Sequence, residues 1–287
     1  MPFKRPNKQP EPAPIKPLRI AYGPEYLQFG ELYLPNHPGP HPVVILIHGG
    51  YWRARYDLTL MHGLGVDLAA RSIAAWNIEY RRVGDAGGGW PGTLLDVASA
   101  ADYVRVLSPQ YSLDPKRVVP IGHSAGGHLA LWLAARPRIP THTPLAGSSI
   151  VASEHERATP LPLAGAISLA GVVDLEMAWK LQLSNSAVVE LLGHTFPNAP
   201  ERYLAASPAA MLPLGVPQIL IHGTRDSSVP IEVSRTYAAK AKALGDPVTY
   251  IELEGIDHFD VINPRSIAWA RTIEALRPLI DVPFTRR

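Results

Sequence analysis

The chain has 287 residues, 46 % of them hydrophobic and 18 % charged, with a formal net charge of +2. That is apolar material enough for one large α/β domain, and a near-neutral charge without a basic stripe excludes a nucleic-acid partner. The absence of cysteine excludes disulfides, thiolate metal sites and a cysteine nucleophile. With no apolar leader and no run of about eighteen apolar residues, a cytoplasmic protein without a membrane span is expected.

Residues 1–17 carry six prolines interleaved with Lys4, Arg5, Lys8 and Lys16, which predicts an extended arm ahead of an α/β domain over 18–287. Residues 26–34 alternate in part and predict edge strands ending at Pro35; 36–42 is turn chemistry. Residues 43–47 (Val-Val-Ile-Leu-Ile) are continuously apolar and β-branched, the pattern of a strand buried on both faces of a parallel sheet. Helical spacing follows over 60–70, then a strand over 75–80. A helix is predicted over 93–107, with Leu94, Val97, Ala101, Val104 and Leu107 on one face and Pro91 ahead of it. Strands over 118–121, 163–169, 217–222 and 247–253, with helices over 231–244 and 267–276, continue the alternation. It predicts a mostly parallel central sheet flanked by helices, with reactive groups at the carboxyl ends of strands. Two stretches interrupt the rhythm. Residues 138–162 are rich in Pro, Thr, Ser and Ala, and 174–208 hold short helical patterns at 177–183 and 187–192. Both read as lid-type insertions, the second expected to shape a substrate pocket. Exposed edge strands and the last helix leave room for a homodimer.

The chemistry concentrates on Gly122-His123-Ser124-Ala125-Gly126, which joins an apolar strand to a helix-forming run. A strand entering a helix through Gly-x-Ser-x-Gly turns sharply with the serine at its apex, and a Cβ on either glycine would collide with neighbouring backbone. A serine hydroxyl needs a base, most often a histidine held by a buried carboxylate. Among eleven histidines, His258 lies in a loop between the last strand and the last helix. Asp226 follows the preceding strand, so the order Ser124, Asp226, His258 suits this topology. Asp257 and Asp260 are wrong-register alternatives, and Asp174 a weaker one. The oxyanion of an acyl-transfer intermediate needs N–H donors. Ala125, next to the serine, and Gly50 and Tyr51, in the loop His48-Gly49-Gly50-Tyr51-Trp52, are the candidates, with Gly49 possible. His48 is expected to order that loop by hydrogen bonding. Trp52, His123 and Gly49 make up the expected substrate-contacting set, although His123 and His128 also fit structural roles. Arg81 and Arg82 read as ion-paired around the glycine-rich loop 84–92. Neither His142 nor His155, thirteen positions apart, has a second histidine at a chelating spacing, and no metal is expected.

Taken together, His-Gly-Gly-Tyr-Trp, Gly-His-Ser-Ala-Gly-Gly-His-Leu, His-Gly-Thr-x-Asp-x-x-Val-Pro and the final His-Phe resemble the α/β-hydrolase superfamily. The likeness is to its esterase/lipase branch with an HGG oxyanion loop, which includes carboxylesterases, feruloyl and acetyl-xylan-type esterases and kynurenine formamidases. The resemblance spans about 43–276. It implies the α/β-hydrolase fold, Ser124, Asp226 and His258 as a triad, and no cofactor. The expected activity is hydrolysis of small carboxylic esters through an acyl-enzyme. The alternatives are an arylformamidase acting on N-formylkynurenine and, outside catalysis, a small-molecule receptor on the same scaffold.

Overall fold

The computed structural model describes residues 16–146 and 159–281. The chain runs β1 (Leu18–Ala21), β2 (Phe29–Tyr33), β3 (His41–Ile47), α1 (His62–Ala70), β4 (Ala74–Ile78), α2 (Gly92–Asp102), α3 (Val104–Tyr111), β5 (Leu113–His123) and α4 (Ala125–Ala135). It continues through β6 (Ala166–Leu169), α5 (Leu175–Lys180), α6 (Leu183–Leu192), α7 (Pro200–Ala206), β7 (Gln218–Gly223), α8 (Glu232–Ala243), β8 (Val248–Leu253) and α9 (Ile267–Ile280). The eight strands form one sheet in the order β1-β2-β4-β3-β5-β6-β7-β8. From β4 to β8 every pairing is parallel, whereas β2 runs antiparallel to both β4 and β1.

All seven residues of β3 are buried, as a strand covered on both faces requires. Alternate side chains feed two cores. Val43, Ile45 and Ile47 pack with α2, α4 and α8, while Val44 and Leu46 pack with α1 and α9. This two-sided wrapping brings the ends of β3, β5, β7 and β8 to one edge of the sheet, where loops carry the polar side chains.

Several boundaries differ from the sequence expectations. Tyr26 lies in a turn between β1 and β2 and is exposed. The helix expected over 93–107 is two helices parted at Tyr103 (φ −63°, ψ −17°). Leu94, Val97, Ala101, Val104 and Leu107 are nonetheless all buried, so one apolar stripe spans both. The last helix continues through Pro278 to Ile280. The arm over 1–17 lies almost wholly outside the described residues, as do 147–158, twelve of the 25 residues of the insertion over 138–162, with His155. Arg81 pairs with Asp96 (2.7 Å) and Arg82 with Asp85 (2.9 Å), the ion pairing expected there.

Candidate active site

β5 ends at His123 and α4 begins at Ala125, leaving Ser124 alone at the turn with φ 56° and ψ −117°. The tightness has a measurable cause. A Cβ on Gly122 would stand 1.9 Å from the Gly126 carbonyl oxygen, and one on Gly126 would stand 2.1 Å from that of Ile47. The Ser124 N–H donates to the Leu169 carbonyl on β6 (2.8 Å), which pins the turn to the sheet.

β7 delivers Asp226 and β8 delivers His258. His258 Nδ1 donates to Asp226 Oδ2 over 2.6 Å. The Asp226 side chain is fully buried. Its Oδ1 accepts the N–H groups of Ser228 and Val229 (2.8 Å each), and Oδ2 also accepts His222 Nε2 at 3.1 Å. Burial would raise this carboxyl, but the hydrogen bonds from His222 and His258 outweigh it and hold the group well below the usual carboxylate range. Asp226 is therefore ionised at neutral pH. The rival acids are engaged elsewhere. Asp174 caps α5 through the Met177 N–H, and Asp257 accepts the N–H groups of Phe259 and Asp260.

Ser124 and His258 line one cavity of about 150 Å³, together with Gly50, Tyr51, Tyr56, Leu60, His123, Ser228 and Phe259. Among the described residues, no hydrogen bond joins Ser124 Oγ to His258. With Nδ1 held by Asp226, the Nε2 edge of that ring is the one left for the cavity. A long nucleophile–base contact is common in ligand-free enzymes and tightens when substrate binds.

The loop after β3 is shaped from behind. The Gly49 carbonyl accepts from His48 Nδ1 (2.8 Å), and Nε2 of that ring meets the buried Glu79 carboxylate at 3.0 Å. The ring also stacks on Tyr80 at 4.3 Å. Because a trans peptide points its C=O and N–H in opposite directions, the tethered Gly49 carbonyl turns the Gly50 N–H away from His48. Gly50 and Tyr51 both have positive φ, 114° and 51°. Among the described residues, neither N–H, nor that of Ala125, donates to another backbone carbonyl outside regular helix and strand pairing. The Tyr51 hydroxyl donates to the Ser228 carbonyl (2.5 Å), tying this loop to the one bearing Asp226.

Two expected substrate contacts are corrected. Trp52 is 1 % exposed and its Nε1 donates to His128 Nδ1 (3.2 Å), so it braces the core beneath the loop. Gly49 does not line the cavity; it lies against the serine turn, where a Cβ would stand 2.8 Å from the His123 carbonyl oxygen. His123 does line it, with Nε2 donating to the His258 carbonyl (2.8 Å). Burial, and then the nearby His258, hold His123 down to about 3, so this ring is a neutral brace at neutral pH. No residue of 174–208 lines the cavity, contrary to expectation. That insertion packs Leu175, Val188, Leu191 and Leu192 into the core. Tyr56, Leu60, Ser228, Phe259 and His222 were not foreseen. Of these, His222, four residues before Asp226 at the end of an apolar strand, and Phe259, in the final His-Phe pair, stood in sequence motifs.

Comparison with known proteins fits this geometry. The BD-FAE family matches residues 31–241. A probable carboxylic ester hydrolase of Mycobacterium tuberculosis, LipM, is 27 % identical over 88 % of this chain and 60 % of its own. A probable isoprenylcysteine alpha-carbonyl methylesterase of Arabidopsis thaliana, ICMEL1, is 29 % identical over 84 % of this chain and 50 % of its own. The chain thus spans about half to three-fifths of the length of these relatives. Among solved structures, a truncated carbohydrate esterase from gut microbiota superposes with a TM-score of 0.77 at 22 % identity, covering 92 % of this chain and 95 % of that one. The propionate-bound esterase Est2 of Thermogutta terrifontis does so at 0.73 and 24 %, covering 98 % and 99 %. The sheet order and these superpositions are those of the α/β-hydrolase fold.

Proposed function

This chain belongs to the BD-FAE family, and from that premise we propose that it is a serine esterase hydrolysing short-chain carboxylic esters through an acyl-enzyme on Ser124. The observation that carries the reading is the 2.6 Å contact between His258 Nδ1 and Asp226 at the wall of the cavity that holds Ser124. In this mechanism His258 Nε2 takes the hydroxyl proton as Ser124 Oγ attacks the ester carbonyl. The oxyanion is received by the N–H groups of Gly50, Tyr51 and Ala125, each donor of this kind supplying roughly 10²–10³ in rate. His258 protonates the departing alkoxide, then draws a proton from water, whose oxygen displaces the serine and releases the acid. Asp226 stays ionised and holds the imidazole in the required tautomer.

The size of the cavity supports a short acyl group. Tyr51, Tyr56, Leu60 and Phe259 wall a space of about 150 Å³. Est2, of the same fold, has been solved with propionate and with butyrate, and the LipM and ICMEL1 names both denote ester hydrolysis. A formamide such as N-formylkynurenine is less well served. No Lys or Arg is among the residues lining the cavity, so an amino-acid carboxylate has no cation to meet. A cytoplasmic setting and a homodimer belong to the same reading. The cysteine-free chain fits the first without deciding it, and the second is supported by the outer edge of β8, unpaired among the described residues. No helix among the described residues is long and apolar enough to cross a membrane.

A p-nitrophenyl ester series tests the proposal. The specificity constant is expected to be highest from acetate to butyrate, at least about tenfold lower at octanoate, and above that for N-formylkynurenine. A fluorophosphonate probe is expected to label Ser124. Absence of the adduct on folded protein would favour the receptor alternative, and a formamide preference of about a hundredfold would replace the ester reading.

A further inference from the structure

The triad carboxylate is held by a second histidine that the hydrolytic steps do not use. His222 stands near the end of β7, paired in register with Glu252 of β8, and its ring is fully buried. Its Nε2 lies 3.1 Å from Asp226 Oδ2 and 3.1 Å from the Val229 carbonyl oxygen. Both neighbours only accept, so Nε2 carries the hydrogen. Nδ1 faces the Ser234 hydroxyl on α8 at 2.8 Å, and that hydroxyl supplies the proton which fixes the tautomer. Asp226 Oδ2 is thereby shared between two imidazole N–H groups, His258 on the cavity side and His222 behind.

We propose that His222, with its tautomer set by Ser234, is a positioning residue for the ester hydrolysis assigned to Ser124. The inference rests on that assignment. With Oδ1 held by two backbone N–H groups and Oδ2 by His222, the carboxylate cannot rotate away from His258. The His222 N–H also draws electron density from Oδ2 and moderates its pull on the His258 proton. Without it, a buried carboxylate loses a donor, turns more freely and holds the His258 proton more tightly. Base catalysis then begins at higher pH. The other ionisable groups near the trio are Glu252, Tyr51 and His123.

The test compares His222→Leu, His222→Gln and Ser234→Ala with the parent on p-nitrophenyl acetate. His222→Leu is expected to lower kcat about 10- to 100-fold, as for loss of a hydrogen bond to a charged group, with KM changed less than about threefold. The acid limb of its kcat/KM profile moves to higher pH by about half a unit, and the most downfield imidazole N–H proton of the His258–Asp226 bond shifts. His222→Gln, whose amide N–H can reach Asp226, recovers kcat to within about fivefold of the parent. Ser234→Ala costs about threefold with the same direction of pH shift. A kcat for His222→Leu within about twofold of the parent overturns the proposal. So does a loss of rate with limb and proton unmoved, which would mark structural damage alone. If His222→Leu does not fold, Ser234→Ala decides, and a parental pH profile there overturns it. Fluorophosphonate labelling of the parent runs alongside. An unlabelled, inactive parent would sink the esterase reading, whereas an active, labelled parent with indifferent variants sinks this one only.

Discussion

At φ 56° and ψ −117° Ser124 occupies backbone territory that residues with a Cβ seldom enter, a strain of roughly 1–3 kcal/mol. The turn tolerates it because both flanking glycines are locked against carbonyl oxygens and the serine N–H is tied to β6. Removing the hydroxyl and relieving the strain can be separated. Ser124→Ala and Ser124→Gly are both expected to abolish turnover, but the glycine variant should melt about 2 °C or more above the alanine one, since only glycine enters this region without penalty. Equal melting temperatures in calorimetry would show that the turn stores no strain. The residues proposed to react were legible because each sits in a short motif at the end of a strand. Trp52 was misread because an indole beside a catalytic loop resembles a pocket wall until its N–H is seen donating to His128. Glu79 and Tyr56 carried no local pattern. They matter through contacts made across the fold, with His48 and beside Gly50.

The segments over 48–53 and 183–192 are far apart in sequence and joined by one side chain. Arg53 makes two hydrogen bonds to the Glu190 carboxylate (2.7 and 2.8 Å) and reaches Ser184 Oγ and its carbonyl at 2.9 and 2.8 Å. The Arg53 N–H also closes the turn by donating to the Gly50 carbonyl (3.1 Å). Both partners are partly exposed, so the pair adds little to global stability. Its effect is local: it steadies the loop whose N–H groups are proposed to receive the oxyanion. Arg53→Ala is expected to lower kcat about three- to tenfold while the melting temperature moves less than about 2 °C, as judged by steady-state rates and differential scanning fluorimetry. Unchanged kcat would mean the loop holds its shape through His48 alone. This link was not readable beforehand. Residues 183–186 begin α6 with left-handed φ at Ser184, Asn185 and Ser186, a geometry that periodicity does not encode. The helix proper begins at Ala187, where the apolar spacing had put it.

For the molecule as a whole, ionisation links the site to acid stability. Burial holds His123 down to about 3 and His128 to about 4, against an ordinary value of 6.5. The unfolded chain takes up these protons below about pH 6.5 while the native state refuses them. Stability is therefore full above that value and is lost as pH falls toward 4, by about 2 kcal/mol per histidine at pH 5. Asp226, held low, acts in the same direction at still lower pH. The melting temperature should fall between pH 7.5 and 5.0, and less steeply in His128→Gln; a flat curve for the parent would contradict the burial argument. The order of strands and the edge bearing the site were foreseeable because parallel, two-sided burial leaves few arrangements. The cavity walls were not, being assembled from four separate loops. The tether from the Tyr51 hydroxyl to Ser228 constrains how this pocket can be remodelled. Trimming Tyr51 to admit a bulkier acid would slacken two pieces of machinery at once, so a wider diet is better sought at Leu60 than at Tyr56, packed beside Gly50, or Phe259, set against the His258 ring.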